Sequence, residues 1–288
     1  MSQYICVDIG GTSIKHGVLD ENAIIKECNQ TKTEAWLGGA AVLDKVKTIG
    51  KQYKEQYENI EGICISTAGM VDPEEGKIVF AGELMPGYTG TCIKKELEKA
   101  LEMPCEVEND VNCAGLAEYV SGSAKESHIM FCATVGTGIG GCAIVNGRVF
   151  HGASNSACEV GYIPMGDSDF QTLGASSILV RKVAEKKIEP LDMWDGKKIF
   201  ALAEKGDEVC ISAIKEMCDV LGKGLATICY VLNPDTIVLG GGIMVQKKIL
   251  ENEIRDSLNR YLRPILAEHL QVCFAEYGNE AGMVGALY

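Results

Sequence analysis

The chain has 288 residues, 47% of them hydrophobic and 23% charged, with a formal net charge of −13. That length is enough for two domains with separate cores, and the acidity argues against a nucleic-acid or anionic-membrane partner. Local backbone N–H groups and a metal ion can still hold a nucleotide on an acidic protein.

The 13 cysteines are odd in number and scattered, several of them inside apolar runs (Cys6, Cys64, Cys132, Cys142, Cys229, Cys273), and no C-x-x-C pair occurs. They read as small core residues in a reducing compartment, not as a disulfide framework. No signal peptide is evident and no apolar run reaches the ~18 residues of a membrane span, so a soluble cytoplasmic protein is expected.

In chain order, residues 3–9 (QYICVDI) read as a buried strand and Gly10-Gly11-Thr12 as a tight turn. A second strand follows over 13–20 and a third over 23–28. A helix is expected from about Trp36 to Tyr57 and a strand over 60–66, then a Gly- and Pro-rich loop to about Gly90. Next come a helix near 91–101, a strand over 104–108 and a helix over 111–120.

The opening pattern then returns, with a strand over 128–135 and a turn over 136–141 (GTGIGG). Two strands within 142–150 are joined by Asn146-Gly147, a strong hairpin signal. Helices are expected over 174–187 and 206–231, a strand over 235–242, a helix over 246–262, a strand near 271–275 and a helix from 280. Strand, Gly-rich turn, strand, turn, strand thus occurs twice, about 125 residues apart, as a repeat of pattern and not of residue identity. Two similar α/β lobes facing each other would bring both turns to one cleft.

Asp8 stands at a strand end, two residues before a glycine pair. Glycines let the backbone approach a phosphate and present N–H donors, and the acid could hold the hydrated Mg²⁺ that accompanies nucleotide phosphates. An ordinary hairpin with a surface Asp accounts for the segment equally well by itself. Residues 136–141 satisfy G-x-G-x-x-G with Glu159 downstream, but a dinucleotide fingerprint must open a helix and strands follow here. A phosphate-cradling hairpin fits better. Gly240, Gly241 and Gly242 end a strand where a backbone could pass close to a flat ligand such as adenine, or simply flex. The stretch EVENDVN (106–112) sets polar residues where a strand meets a helix: Asn109 or Asp110 could cap that helix, or a carboxylate could be delivered there for chemistry.

Together these segments resemble the ROK (repressor–ORF–kinase) family of sugar kinases, within the actin–hexokinase–Hsp70-like fold. The matching stretches are 8–20, 66–79, 107–118, 134–162, 232–243 and 278–287, in family order across nearly the whole chain. The resemblance implies an α/β protein of two actin/hexokinase-like (ribonuclease H-like) lobes, each a mixed five-stranded sheet with flanking helices, with a cleft between. The lobes are placed at 1–112 for sugar and phosphate and 113–277 for the nucleotide, a helix over 278–288 packing back on the first.

The implied activity is ATP-dependent phosphorylation of a sugar hydroxyl. By the same analogy Gly10, Gly11, Thr12, Gly136, Thr137, Gly138 and Gly140 cradle phosphates, Asp8 holds Mg²⁺ through water, and Gly240, Gly241 and Gly242 flank adenosine. Asp110 matches the catalytic base and Asn109 a sugar-binding residue. Glu159 matches a carboxylate that binds sugar hydroxyls, and Gly69, Glu83 and Tyr162 complete the acceptor set. Phosphoryl transfer needs alignment, charge neutralisation and a base near the attacking oxygen, which this set supplies.

Two departures bear on the acceptor. Tyr162 stands where many relatives have His in E-x-G-H, and the Cys-rich zinc motif is missing, since no cysteine lies between Cys158 and Cys210. No structural zinc is therefore expected. In the 80–90 loop, Glu83 or Leu84 falls where relatives carry a sugar-touching Asn. These features resemble the β-glucoside-kinase branch, with phosphorylation at a 6-hydroxyl of a hexose or a β-glucoside such as cellobiose. Glucokinase or N-acylhexosamine (for instance N-acetylmannosamine) kinase activity is the alternative. A sugar-responsive repressor would carry a helix-turn-helix ahead of Asp8, where only seven residues stand. A non-catalytic sugar binder would be expected to have lost Asp110. A homodimer is compatible with the family; nucleic acid and membrane are not expected partners.

Overall fold

The computed structural model describes residues 2–288, which form two compact units. The first comprises residues up to Gly122 together with Val149–Ala157 and Asn279–Tyr288; the second comprises Ser123–Arg148 and Cys158–Gly278.

In the first unit the strands are β1 (Gln3–Ile9), β2 (Ser13–Asp20), β3 (Ile25–Lys32), β4 (Ile60–Thr67), the short pair β5 (Met70–Asp72) and β6 (Lys77–Phe80), and β7 (Cys105–Asn109). The helices are α1 (Gly39–Gln56), α2 (Ile93–Leu101) and α3 (Asp110–Val120). Five strands make one mixed sheet in the order β3-β2-β1-β4-β7. β1, β2 and β3 meander antiparallel, while β4 and β7 run parallel to β1.

Alternation divides the two faces of β1. Ile5, Val7 and Ile9 join Ile63, Ile65 and Val107 in a core closed by α1 and α2. In α2 the buried residues Ile93, Leu97 and Leu101 repeat every four positions, a single apolar stripe. Cys6 and Asp8 occupy the other face, which the closing helix Ala281–Ala286 covers while also packing on α3. The approach is close: a Cβ on Gly285 would collide with the Cys113 carbonyl, and one on Gly282 would lie 2.5 Å from the Asp8 carboxyl carbon. Small side chains at Cys6, Cys64 and Cys113 are what let a helix lie so near the sheet.

The second unit repeats the plan. Its strands are β8 (Ile129–Val135), β9 (Ile139–Val145), β10 (Arg148–Val149), the ribbon β11 (Pro164–Met165) and β12 (Ser168–Asp169), β13 (Thr236–Gly240) and β14 (Gln271–Phe274). Val149, the second residue of β10, already counts with the first unit. The sheet order is β10-β9-β8-β13-β14, with β9 antiparallel to β8, and β13 and β14 parallel to it. The helices are α4 (Phe170–Gly174), α5 (Ser176–Lys187), α6 (Gly196–Ala203), α7 (Glu208–Leu232), α8 (Lys247–Tyr261) and α9 (Pro264–Ala267). Phe131, Ala133 and Val135 form its core with Phe170, Leu179 and the α7 stripe Met217, Leu221, Leu225. Among the described residues no helix is long and apolar enough to cross a membrane.

Several expectations are corrected. β3 runs on through the polar residues Asn29–Lys32, since an edge strand needs no apolar alternation to pair. The loop after β4 contains the β5–β6 hairpin, and α6 lies where no element was expected. The second Gly-rich turn ends at Gly138, because Ile139 already pairs with Val135. By contacts the first unit runs on to Gly122, because α3 is packed against the closing helix of that unit.

Candidate active site

β7 ends at Asn109, which is extended (φ −64°, ψ 146°) and caps α3. Its Oδ1 accepts from the Val111 and Asn112 amides at 2.9 and 3.1 Å, satisfying two of the helix's orphan donors. Its Nδ2 donates to the Gly69 carbonyl (2.8 Å) and to Asp110 Oδ1 (3.0 Å). An Asn side chain has two donors and two acceptor sites, so all four are used within the protein.

Asp110, the first helical residue, also receives the Val111 amide on Oδ1 at 2.9 Å. A carboxylate there is stabilised by the N-terminal end of the helix dipole. Gly69 is held at φ +103°, and a Cβ there would lie 2.8 Å from the Phe80 carbonyl, so the residue that receives Asn109 has to be glycine. Buried Tyr88 bonds Thr67 Oγ1 at 2.7 Å. Burial first, and the Asp110 charge in addition, push its phenol well above the usual range.

Two strands away, Asp8 takes a hydrogen bond from Ser66 Oγ at 2.7 Å, and its second oxygen lies 3.9 Å from the Lys15 ammonium. Burial raises its pKa despite both partners. Ser66 is in register with Asp8 on one side and Glu108 on the other, so the three share a face. The Cys113 thiol, pushed up chiefly by burial, also feels the charges of Glu108, Asp8 and Asp110. Between Asp8 and Lys15, Gly10-Gly11-Thr12 makes a two-sided turn in which Gly10 N donates to the Ser13 carbonyl and Thr33 Oγ1 donates to the Gly10 carbonyl. Gly11 and Thr12 are exposed.

Mg²⁺ usually keeps several waters and takes one or two carboxylates plus substrate phosphates. Asp8, a single half-buried carboxylate beside an open Gly turn, fits that manner of binding, and a nearby dication would offset the cost of its partial burial. Among the described residues no three His, Cys, Asp or Glu side chains gather as a metal cage.

In the second unit the turn after β8 is fixed from outside. Ser176 donates from both N and Oγ to the Gly136 carbonyl (2.9 and 2.6 Å), and Ser177 Oγ donates to the Thr137 carbonyl (2.7 Å). A cavity of about 290 Å³ opens against Thr134, residues 136–140, Gln171 and Gly241. A second one, of about 430 Å³, shares Gly136 and Thr137 and extends over Ser176, Gly196, Phe200, Gly242 and Val245. A small glycine-lined compartment thus adjoins a larger and more apolar one. Gly241 has φ +96°, and a Cβ would run into the backbone of Val135. Glu159 precedes the 3₁₀ turn Val160–Tyr162, is exposed on one side, and has its carboxyl pushed up by the protein packed on the other.

A sequence model described as the ROK family matches residues 4–288. The chain belongs to the ROK family. It is 45% identical to an uncharacterized protein of Clostridium perfringens, over all of this chain and 97% of that one. A β-glucoside kinase of Klebsiella pneumoniae is 30% identical, the match covering 98% of this chain and 93% of that one. Among solved structures, a ROK glucokinase of Streptomyces griseus in complex with glucose and AMPPNP superposes with a TM-score of 0.85 at 28% identity, over 99% of this chain and 98% of that one. The two mixed sheets described above are accordingly those of an actin/hexokinase-like ROK protein.

Within this ROK chain, Asp8, Gly10, Gly11, Thr12, Gly69, Asn109 and Asp110 lie together in the first unit. Glu83 stands exposed on the 81–88 loop of the same unit, beside Leu84, which is 86% exposed. Gly136, Thr137, Gly138, Gly140, Glu159, Tyr162, Gly241 and Gly242 belong to the second. Gly140 lies in β9 yet still faces the smaller cavity, whereas Gly240 is buried in β13 opposite Thr134 and lines neither. Tyr162 is 59% exposed.

Sequence reading missed Ser66, Gln171, Ser176 and Ser177, whose contacts come from strands and helices far along the chain, and Lys15, which strand pairing sets opposite Asp8. It also missed the pair formed by Glu108 and His151, whose Oε2 and Nε2 are 2.6 Å apart. That hydrogen bond and the Glu108 charge raise the pKa of His151.

Proposed function

We propose that this protein is an ATP-dependent carbohydrate kinase that phosphorylates an alcohol of a hexose or β-glucoside, with the 6-hydroxyl of a glucoside such as cellobiose as the first choice. The observation that carries the reading is Asp110: a carboxylate held at a helix N-terminus by Asn109 and Val111, just past the end of β7 and in the same unit as Asp8. Identity to a β-glucoside kinase, and a fold shared with a glucokinase crystallised with glucose and AMPPNP, support the donor and acceptor classes.

In this reading Asp110 takes the hydroxyl proton as the acceptor oxygen attacks the γ-phosphorus and the bond to the β–γ bridging oxygen breaks, leaving ADP. Asn109 is chiefly an orienting group, because an acceptor could claim its Nδ2 hydrogen only by displacing Asp110 Oδ1 or the Gly69 carbonyl. The glycine turns at 10–12 and 136–138 present backbone donors to the phosphates, and the larger cavity takes the nucleoside. Asp8 would hold Mg²⁺ through water, and the ion would supply neutralisation of phosphate charge there. Glu159, Tyr162 and Glu83 contact the acceptor and select it.

The test is ATP consumption with Mg²⁺ against free hexoses, N-acylated hexosamines and β-glucosides. Highest kcat/KM on a β-glucoside is the expected result. A preference for free glucose or an N-acylhexosamine would correct the acceptor while leaving the kinase intact, and no turnover on any of them would overturn the reading.

A further inference from the structure

Glu108 stands one residue before the Asn109–Asp110 pair and is tied down by three contacts. Oε1 accepts from the Asn109 backbone N–H (2.6 Å) and from Asn112 Nδ2 (2.9 Å), and Oε2 meets His151 Nε2 at 2.6 Å. Both side chains are largely withdrawn from water, Glu108 15% and His151 27% exposed. A carboxylate in this position braces both ends of the Asn109–Asn112 turn, the turn that carries Asp110.

His151 does not come from a neighbouring element. It lies in residues 149–157, a stretch that leaves the second unit after Arg148, packs with the first, and returns at Cys158. The stretch closes on itself through the Ala157 N–H to the His151 carbonyl (3.1 Å), two residues before Glu159. One charge pair therefore pins both the turn bearing Asp110 and the segment leading to Glu159.

We propose that Glu108 and His151 are a positioning pair that sets the direction and proton affinity of the Asp110 carboxylate. The inference rests on the kinase reading only for what Asp110 does, not for how the pair acts on it. The electrostatics follow from the contacts. Glu108 and Asp110 are like charges converging on one helical turn, so Glu108 alone would oppose ionisation of Asp110. The imidazolium of His151 cancels that opposition while leaving the Glu108 hydrogen bonds in place.

The other titratable groups facing the cluster are Asp72 from β5, acting on His151, Tyr88 from the loop before α2, acting on Asp110, Cys113 of α3, and Asp8 at the end of β1. Tyr88 and Cys113 are held neutral far above the range in which carboxylates titrate. His151 is protonated throughout the acidic range in which carboxylates ordinarily titrate, because its pKa is raised from an already higher value.

The test is carboxyl-carbon NMR titration of Asp110, identified by its loss in Asp110→Asn, in the wild type and in two variants. In His151→Gln the uncompensated Glu108 charge moves the Asp110 midpoint up; in Glu108→Gln, where the amide oxygen still accepts from Asn109 and Asn112, the midpoint moves down. The imidazole titration of His151 falls in Glu108→Gln. In turnover, the acid limb of kcat/KM moves in the same opposite directions, and kcat drops about 10- to 100-fold in each variant as Asp110 loses alignment.

A merely structural pair would lower stability and activity in both variants without opposed shifts. Midpoints that stay put, or that move the same way in both variants, overturn the proposal. Opposed shifts in a protein that phosphorylates no acceptor would sustain the pair and sink the kinase reading instead. Should Glu108→Gln fail to fold, an unmoved Asp110 midpoint in His151→Gln is enough to overturn the proposal.

Discussion

The two units share a sheet order and a Gly-rich turn after the first strand, and the residue second from the end of that strand separates them. In β1 it is Asp8, opposite Ser66; in β8 it is Thr134, opposite Gly240. At the first position a hydroxyl is spent on a half-buried carboxylate whose pKa is raised by burial. At the second, a small neutral side chain and glycine leave room, and a cavity opens against Thr134 and Gly136–Gly140. One backbone plan therefore serves two ends: a charge is concentrated in one copy, and space is kept in the other. The closing helix over Asp8 and the serines of α5 against Gly136 are the local additions that make the difference.

The contrast can be broken at its charged end first. Asp110→Asn should keep the fold and lower kcat about 10²- to 10⁴-fold, the usual worth of a positioned base, by steady-state kinetics on the preferred acceptor. Near wild-type kcat would remove Asp110 from the chemistry. Asp8→Asn should cost about 100-fold in Mg²⁺-supported turnover while leaving the thermal midpoint unchanged or raised, since a half-buried charge disappears. A large drop in that midpoint would make Asp8 a structural residue.

At the open end, Gly241→Ala should cost about 1–3 kcal/mol in urea unfolding, because an L-residue is strained at φ +96° and its Cβ meets the Val135 backbone. The smallest effect is the most diagnostic. Thr134→Asp copies the first turn's acid into the second and should weaken ATP binding about tenfold by calorimetry, through repulsion of the phosphates. Tighter binding would mean that the second turn also works through a metal.

Much of this was legible in the sequence because burial and punctuation are local. The runs at 3–9, 60–66 and 128–135 are apolar and bounded by glycine or polar turns, so their strands were readable. β3 was cut short because Asn29–Lys32 offer no apolar signal, and the β5–β6 hairpin hid among residues that also mark loops. In EVENDVN the capping reading is met by Asn109, whose Nδ2 also donates to the carboxylate of Asp110. Glu108 carries no sequence signal of its contact, because its partner His151 lies 43 residues on and no spacing rule connects them. Register, which places Ser66 between Asp8 and Glu108, likewise belongs to the sheet and to no single stretch of chain.

The closing helix has a consequence for synthesis of the chain. Residues 279–288 complete the first unit, whose sheet is otherwise finished with β7 at Asn109. As the polypeptide emerges, the face bearing Cys6, Cys64 and Asp8 stays uncovered while the whole second unit is made. Its thiols Cys6 and Cys64 are open to water and oxidant during that interval, and are covered when Gly282 and Gly285 arrive. Translation of the tail is thus the step that covers these thiols, and ribosome-stalled chains lacking it should show cysteines that react quickly with thiol reagents.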